Sequence, residues 1–314
     1  MGITYPITIS QLGWCFLGST IALGEPDTHI LLSLNRFHYL TAAQTSRLLY
    51  PNLKDNNRYA SRRLKNLVDT GYVLRLGNLP TPRFGSAPHV FALARAGRRY
   101  LNQLGIETPA YFRPGEEGEK AFNRPFMQHT LAAIDVLITA DLLCKTDAVS
   151  CPALLTEREL KQSPLRVDVP PSPGAFGGEG RSVAVIPDGW FQLEVEGVVS
   201  SIALELDRGT EEQKFWRRKV AALVTWANGP YQEAFETDNI TIAVVAPSPT
   251  RRDELRTWTA RELANRGWLD DGEIFLFTSS DPVVTAPHSF FFDPVWYQAS
   301  TELPVSLLDW PVDG

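Results

Sequence analysis

The spacing of apolar side chains changes period several times along this chain, and each change marks an expected element. Between Pro26 and Tyr39, Ile30, Leu31, Leu34 and Phe37 recur at the intervals of an amphipathic helix. Thr41 stands where an N-cap belongs, ahead of a second helix over Ala42 to Leu49 that Pro51 closes. A third helix starts near Asp55 or Asn56, carries Tyr59, Leu64, Leu67 and Val68 on one stripe, and stops at Gly71, where a positive φ is cheap. The pattern then turns to strand (Tyr72 to Leu76), a Gly/Pro-rich tip (Gly77 to Pro88), a second strand (His89 to Leu93) and a helix from Ala96 to Leu104.

Thr108 to Lys120 is rich in Pro, Gly and Glu, as an exposed boundary would be, and divides the chain into a first domain (1–107), a linker (108–122) and a second domain (123–314). Asn123 and Pro125 open a helix over Phe126 to Leu143, followed by an apolar run from Cys151 to Thr156 and a proline- and glycine-rich loop or insertion from Ser163 to Arg181. Val183 to Val195 and Val198 to Leu206 alternate as two strands, and Glu196-Gly197 between them suits a two-residue hairpin turn. That turn sets a register in which Phe191, Leu193 and Val195 share a core face with Ile202, Leu204 and Leu206, while Asp188 falls opposite Glu205 on the other face. A helix (211–227), a strand (Ile240 to Ala246), a helix (251–266) and a strand (Glu273 to Phe277) follow. The expected class is α+β, with a helical first domain bearing a hairpin and a second domain of helices around a mixed sheet.

Charge sharpens the division. The whole chain carries a net charge of −6, yet residues 1–110 hold 12 Lys and Arg against 5 Asp and Glu, and the remainder holds 18 against 31. A basic module joined to an acidic one points to a polyanion partner for the first. Four basic residues, Arg58, Arg62, Arg63 and Lys65, share the third helix with no acid between Asp55 and Asp69, and Arg83 lies on the hairpin tip. The three cysteines, Cys15, Cys144 and Cys151, form no CxxC pair, which reads as free thiols in a cytoplasmic protein. No uninterrupted apolar stretch is long enough for a membrane span, and no basic segment precedes the apolar start as in a secretory signal.

Chemistry concentrates in the second domain. Carboxylates facing each other across antiparallel strands have Cβ atoms about 5 Å apart and repel unless a cation or proton intervenes. Asp188 and Glu205 are such a pair, and Asp207, two residues on, adds a third acid to the same face. Magnesium or manganese binds through one or two carboxylates plus water and a substrate phosphate, which fits phosphodiester cleavage. In helix 211–227, Trp216, Val220, Leu223 and Trp226 define a buried stripe on which Lys219 also falls, either reaching the acids or passing the tryptophans to water. His129 lies on the stripe of Ala132, Ala133 and Val136, as a core histidine or a further metal ligand. There is no GxSxG and no P-loop, which argues against serine hydrolase chemistry and ATP hydrolysis.

The segments LTAAQTSRLLYP, RYASRRLKNLVDTGYVLRL and HVFALARAGRRYL resemble winged helix-turn-helix DNA-binding domains. The resemblance implies a third helix in the major groove of double-stranded DNA and a wing on the neighbouring backbone, making Arg58, Arg62, Arg63, Lys65 and Arg83 the DNA-binding candidates. The second domain resembles the PD-(D/E)xK, or restriction-endonuclease-like, superfamily: Pro187-Asp188 is the PD, and Glu205-Leu206-Asp207 stands where (D/E)xK belongs, with Asp207 in the lysine's place. That resemblance implies an α/β/α fold, a metal held by Asp188 and Glu205 with His129 as a further ligand, and catalytic roles for Asp188, Glu205, Asp207 and a migrated Lys219. Taken whole, PDG, ALELDRGTE and the pair Trp216 and Lys219 resemble the replication-relaxation family of plasmid and mobile-element proteins. Three expectations follow: a magnesium- or manganese-dependent DNA endonuclease or nickase, a DNA-binding regulator whose nuclease-like domain has lost its chemistry, or an interaction component of a replication or transfer complex.

Overall fold

In the computed structural model, the described residues are 23–80, 87–108, 124–145, 148–171 and 181–309. They divide into two compact units whose boundary falls between Leu131 and Ala132. That point lies inside a single helix, α5 (Arg124–Leu143), beyond the expected linker, of which residues 109–122 lie outside the described residues.

The first unit opens with α1 (Glu25–Phe37), β1 (Tyr39–Thr41), α2 (Ala42–Leu49) and α3 (Asn56–Asp69). It continues through β2 (Val73–Asn78), β3 (His89–Leu93) and α4 (Arg95–Gln103). The expected cap at Thr41 is a full capping box: its Oγ1 accepts from the Gln44 amide while the Gln44 Oε1 accepts from the Thr41 amide. The first helix stops two residues short of Tyr39, because the chain reverses at His38 (φ 65°) and spends Tyr39–Thr41 on a strand that pairs with β3. The resulting three-stranded antiparallel sheet, in the order β1-β3-β2, closes over Ile30, Leu31, Leu34, Leu64 and Leu67, all buried. β2 runs two residues beyond its expected end through a bulge between Arg75 and Gly77. Arg83 lies outside the described residues.

The second unit is built on an eight-stranded mixed sheet. Its path is β13 (Pro304–Val305), β12 (Trp296–Gln298), β11 (Phe275–Thr278), β10 (Thr241–Val245), β9 (Val198–Leu206), β8 (Gly189–Val195) and β4 (Val149–Ser150), and β5 (Leu154–Thr156) also pairs with β8. Strands β9, β10 and β11 are parallel and the others antiparallel to their neighbours. α6 (Glu157–Leu160) follows β5, α7 (Gln213–Ala227) and α8 (Pro230–Phe235) join β9 to β10, and α9 (Pro249–Arg266) joins β10 to β11, as parallel neighbours require.

The hairpin register is the one the turn implies: Phe191 faces Ile202 and Gly189 faces Leu204, with Glu196 and Gly197 both at positive φ (49° and 83°) as in a type I′ turn. Two expectations fail next to it. Val183 to Val195 is not one strand: Arg181–Val185 (β7) pairs with Leu165–Val169 (β6) in a separate two-stranded sheet, and the chain breaks at Ile186-Pro187-Asp188 before β8. Proline lacks the N–H that a continuous ladder needs there. For the same reason the presumed loop from Ser163 contains β6, since its alternation over five residues (Leu165, Val167, Val169) is hidden between prolines.

The sheet is also buried on both faces. Phe191, Leu193, Ile202 and Leu204 form one side, where a Cβ on Gly189 would meet the Leu137 Cδ2 at 3.0 Å. On the other side, Trp190, Ala203, Ile242, Val244, Phe275 and Phe277 pack with Trp216, Val220, Leu223 and Trp226 of α7 in one apolar core. Each such large side chain stabilises the fold by roughly 1.5–3 kcal/mol. The Trp216 indole N–H donates to the Thr259 hydroxyl at 2.9 Å, tying α7 to α9. Pro125–Leu143 is, among the described residues, the one helix long and apolar enough to cross a membrane, and 61% of its most apolar window is buried.

Candidate functional site

Glu205 lies on β9, between β8 and β10, and shares the face of Ala203 that α7 covers. A carboxylate at 1% exposure in such surroundings requires a partner. It has one: the Lys219 Nζ of α7 lies 2.5 Å from Glu205 Oε2, in an ion pair whose approach lies off hydrogen-bond geometry. The Lys219 side chain is 32% exposed against 2% for Glu205, so the acid is sealed while part of the lysine side chain reaches the surface. Of the two sequence alternatives for Lys219, the one that reaches the acids is realised. Its ammonium also lies 5.8 Å from the centre of the Trp216 ring.

Asp188 sits just before β8, with its amide donating to the Leu204 carbonyl (2.9 Å) and its Oδ2 accepting from the Leu206 amide (2.8 Å). Its buried carboxylate thereby caps the end of the β8/β9 ladder and faces the Glu205–Lys219 pair. Burial pushes the Glu205 carboxyl up to about 7; Lys219 pulls it down and Asp188 raises it. For Lys219, burial lowers the ammonium, but Glu205, Asp188 and Glu211 outweigh it and hold the group well above the ordinary lysine value.

Asp207 does something else. It lies one residue past β9, and Arg251 in the first turn of α9 grips it with two hydrogen bonds, Nε to Oδ2 at 2.8 Å and Nη2 to Oδ1 at 3.2 Å. The same Asp207 Oδ2 accepts from the Gly209 amide, while Arg251 Nη2 also donates to the Glu211 carbonyl at 2.5 Å. Arg251 reaches this position because Ser248 caps α9 and accepts from the Arg251 amide at 3.2 Å. Asp207, 1% exposed, thus holds loop 207–212 to α9. Sequence reasoning did not single out Arg251 or Glu211. The Ser-Pro helix start after a central strand marks the first, and Glu211 lies inside the ALELDRGTE segment. Burial raises the Glu211 carboxyl, with Lys219 opposing and Asp207 and Asp188 adding to it.

Asp188, Glu205, Lys219 and Glu211 therefore form one electrostatic cluster at the carboxyl ends of parallel strands, where open α/β sheets place their ligands. Two carboxylates with water and a substrate phosphate suffice for magnesium, and Asp188 and Glu205 are the two that could supply them, with Lys219 already paired to Glu205. Among the described residues no three of His, Cys, Asp and Glu gather into a metal-holding group. His129 accordingly joins no such group; it is half-buried on α5, within the first unit's share of that helix.

In the first unit, Arg58, Arg62 and Lys65 lie exposed on one face of α3, with Arg62 5.6 Å from the Tyr59 ring centre and Lys65 paired with Asp69 at 2.6 Å. Arg63 turns to the edge of that face and binds the buried Asp27 of α1 through Nε (2.8 Å) and Nη2 (2.7 Å).

These features describe a mixed α+β protein with a basic helical unit and an acid–lysine cluster on a mixed sheet. The model of the family described as replication-relaxation matches residues 31–238, most of the chain, and the chain belongs to the replication-relaxation family. Membership points to a role in replication or relaxation of a plasmid or mobile element. No curated relative matches the chain. No solved structure matches it either.

Proposed function

We propose that the chain is a DNA-binding protein whose second unit cleaves a phosphodiester bond with magnesium or manganese. The observation that carries this reading is the Lys219–Glu205 contact beside Asp188: two buried carboxylates and a part-exposed lysine at the carboxyl edge of the sheet. The arrangement supports a PD-(D/E)xK reading in which the lysine has moved from the strand to the following helix. Asp188 and Glu205 would hold the ion, which when bound polarises the scissile phosphate and activates water. Lys219 orients the acids and presents positive charge toward the phosphate. The first unit supplies DNA affinity: the order of α1 to α4 around the β1-β3-β2 sheet suits a winged helix-turn-helix, with α3 turned to the major groove.

The grip of Arg251 on Asp207 favours a second reading, a regulator in which the acids serve the fold rather than a reaction. Incubation of the full chain with supercoiled plasmid, with and without Mn²⁺ or Mg²⁺, separates the two. Cleavage is expected only with metal, and Asp188→Asn and Glu205→Gln should each lower it at least about a hundredfold, as loss of a group acting on the transition state does. Asparagine is chosen because it keeps an acceptor for the Leu206 amide, whereas alanine would strand that N–H at about 1–3 kcal/mol. Metal-independent nicking, or none with either ion, overturns the nuclease reading.

A further inference from the structure

The first turns of α7 carry a feature that the acid–lysine cluster does not use. Phe215 is 54% exposed on a helix whose two tryptophans are at most 1% exposed, and among the described residues it makes no ring contact. Lys214 and Arg218, its neighbours one back and three on, are exposed, and among the described residues neither has an ion pair or hydrogen bond. Phe215 and Lys219 are four residues apart and so stand one above the other on the same side of the helix. Lys219 is the part-exposed member of the cluster, so an exposed aromatic ring and two cations with no ion pair among the described residues lie on the same first turns of α7 as that lysine.

A single exposed phenylalanine is ordinary. One set between exposed cations and beside an acidic cluster is a combination that suits nucleic acid, because cations track phosphates while an aromatic face stacks any base regardless of sequence. A fully paired duplex hides its base faces in the stack, so this ring can be used only where a base is unpaired.

We infer that the Lys214–Arg218 turn is a strand-binding edge, with Phe215 stacking on an unpaired base and Lys214 and Arg218 contacting the phosphates beside it, so that the site takes single-stranded or locally melted DNA. The inference rests on the proposed phosphodiesterase reading for its location, not for its binding test.

The test uses the full chain in Ca²⁺ buffer and three labelled DNAs of one length: a single strand, a duplex, and a duplex with a central unpaired bubble containing 2-aminopurine. Tighter binding of the bubble than of the duplex is expected, with quenching of the 2-aminopurine. Phe215→Ala should abolish the quenching and weaken bubble binding about tenfold, the effect of losing one stacked base, while Phe215→Trp retains both. Lys214→Gln with Arg218→Gln should lower the slope of log affinity against log salt by about 1.4, as two lost single-strand phosphate contacts would. Equal bubble affinity and quenching in wild type and Phe215→Ala overturns the inference, even if metal-dependent cleavage is found. Loss of quenching in Phe215→Ala supports it, even if the chain cleaves nothing and the nuclease reading falls.

Discussion

Lys219 reaches from α7 to within 2.5 Å of Glu205 on β9, and the strand and helix are joined only by loop 207–212. The lysine's charge is thereby delivered to an acid fourteen residues earlier in the chain, from one helical turn past Trp216. Because β9 is interior and α7 is packed down over it by its tryptophans, Glu205 cannot withdraw to water without opening the core.

The first prediction concerns pH. Glu205 stands at about 7 in the fold against about 4.5 for a free glutamate, so folding takes up a proton between those values. A raised carboxyl contributes stability that is whole below about 4.5 and lost as pH climbs through about 7. Glu205→Gln mimics the protonated acid at every pH. The unfolding free energy of wild type relative to Glu205→Gln should therefore fall by about 3 kcal/mol from pH 4.5 to 8. Lys219 leaves this window untouched, because a raised ammonium contributes stability that is lost only at alkaline pH. Urea titrations of both proteins across the range provide the check, and a constant difference would mean that burial does not govern Glu205. Mn²⁺, if it binds there, should flatten the fall by favouring the carboxylate.

The second prediction concerns Asp207. From the motif alone, Asp207→Lys recreates the usual nuclease pattern. In the fold it would set an ammonium against the Arg251 guanidinium in a site where Asp207 is 1% and Arg251 12% exposed. Breaking a buried pair by removing one partner costs about 3–5 kcal/mol, and a like charge adds to that. Asp207→Lys and Arg251→Met should each lower the melting temperature by several degrees. Asp207→Asn combined with Arg251→Met should lose less than the sum of Asp207→Asn alone and Arg251→Met alone. Thermal unfolding of wild type and these four variants decides; additive losses in the Asn/Met cycle would mean the two residues do not act as a pair.

The hairpin from Gly189 to Leu206 was legible because a two-residue turn and strict alternation leave one register, and that register alone sets Asp188 beside Glu205. Lys219 was legible as an anomaly, a cation on an apolar stripe. The break at Pro187 was not, since Val183 and Val185 continue the alternation into a different sheet, and alternation does not say which neighbour a strand will find. Arg251 was hidden for a related reason: it lies forty-four residues from Asp207, and only the parallel pairing of β9 with β10 brings the start of α9 to the end of β9. The four basic residues of α3 looked equivalent in sequence because the helical period separates faces but does not reveal Asp27 waiting on α1.

That distinction gives the third prediction. Arg58 and Arg62 are exposed on α3 and held by no acid among the described residues, whereas Arg63 has both of its bonds to Asp27 and is half-buried. If α3 meets duplex DNA, each phosphate contact releases counterions and adds about 0.9 to the slope of log affinity against log salt. Arg58→Ala with Arg62→Ala should lower that slope by about 2 and weaken binding to all duplexes alike, with little change in melting temperature. Arg63→Ala should do the reverse. It leaves Asp27, 5% exposed, without its cation, so it should destabilise the first unit by about 2–4 kcal/mol while leaving the slope of the folded protein near wild type. Fluorescence anisotropy over a salt series, paired with thermal melts, reads both quantities on the same variants. If Arg63→Ala lowers the slope as much as the Arg58/Arg62 double change does, the ion pair with Asp27 gives way to DNA and Arg63 belongs to the interface after all; if neither changes it, α3 is not the surface that meets DNA.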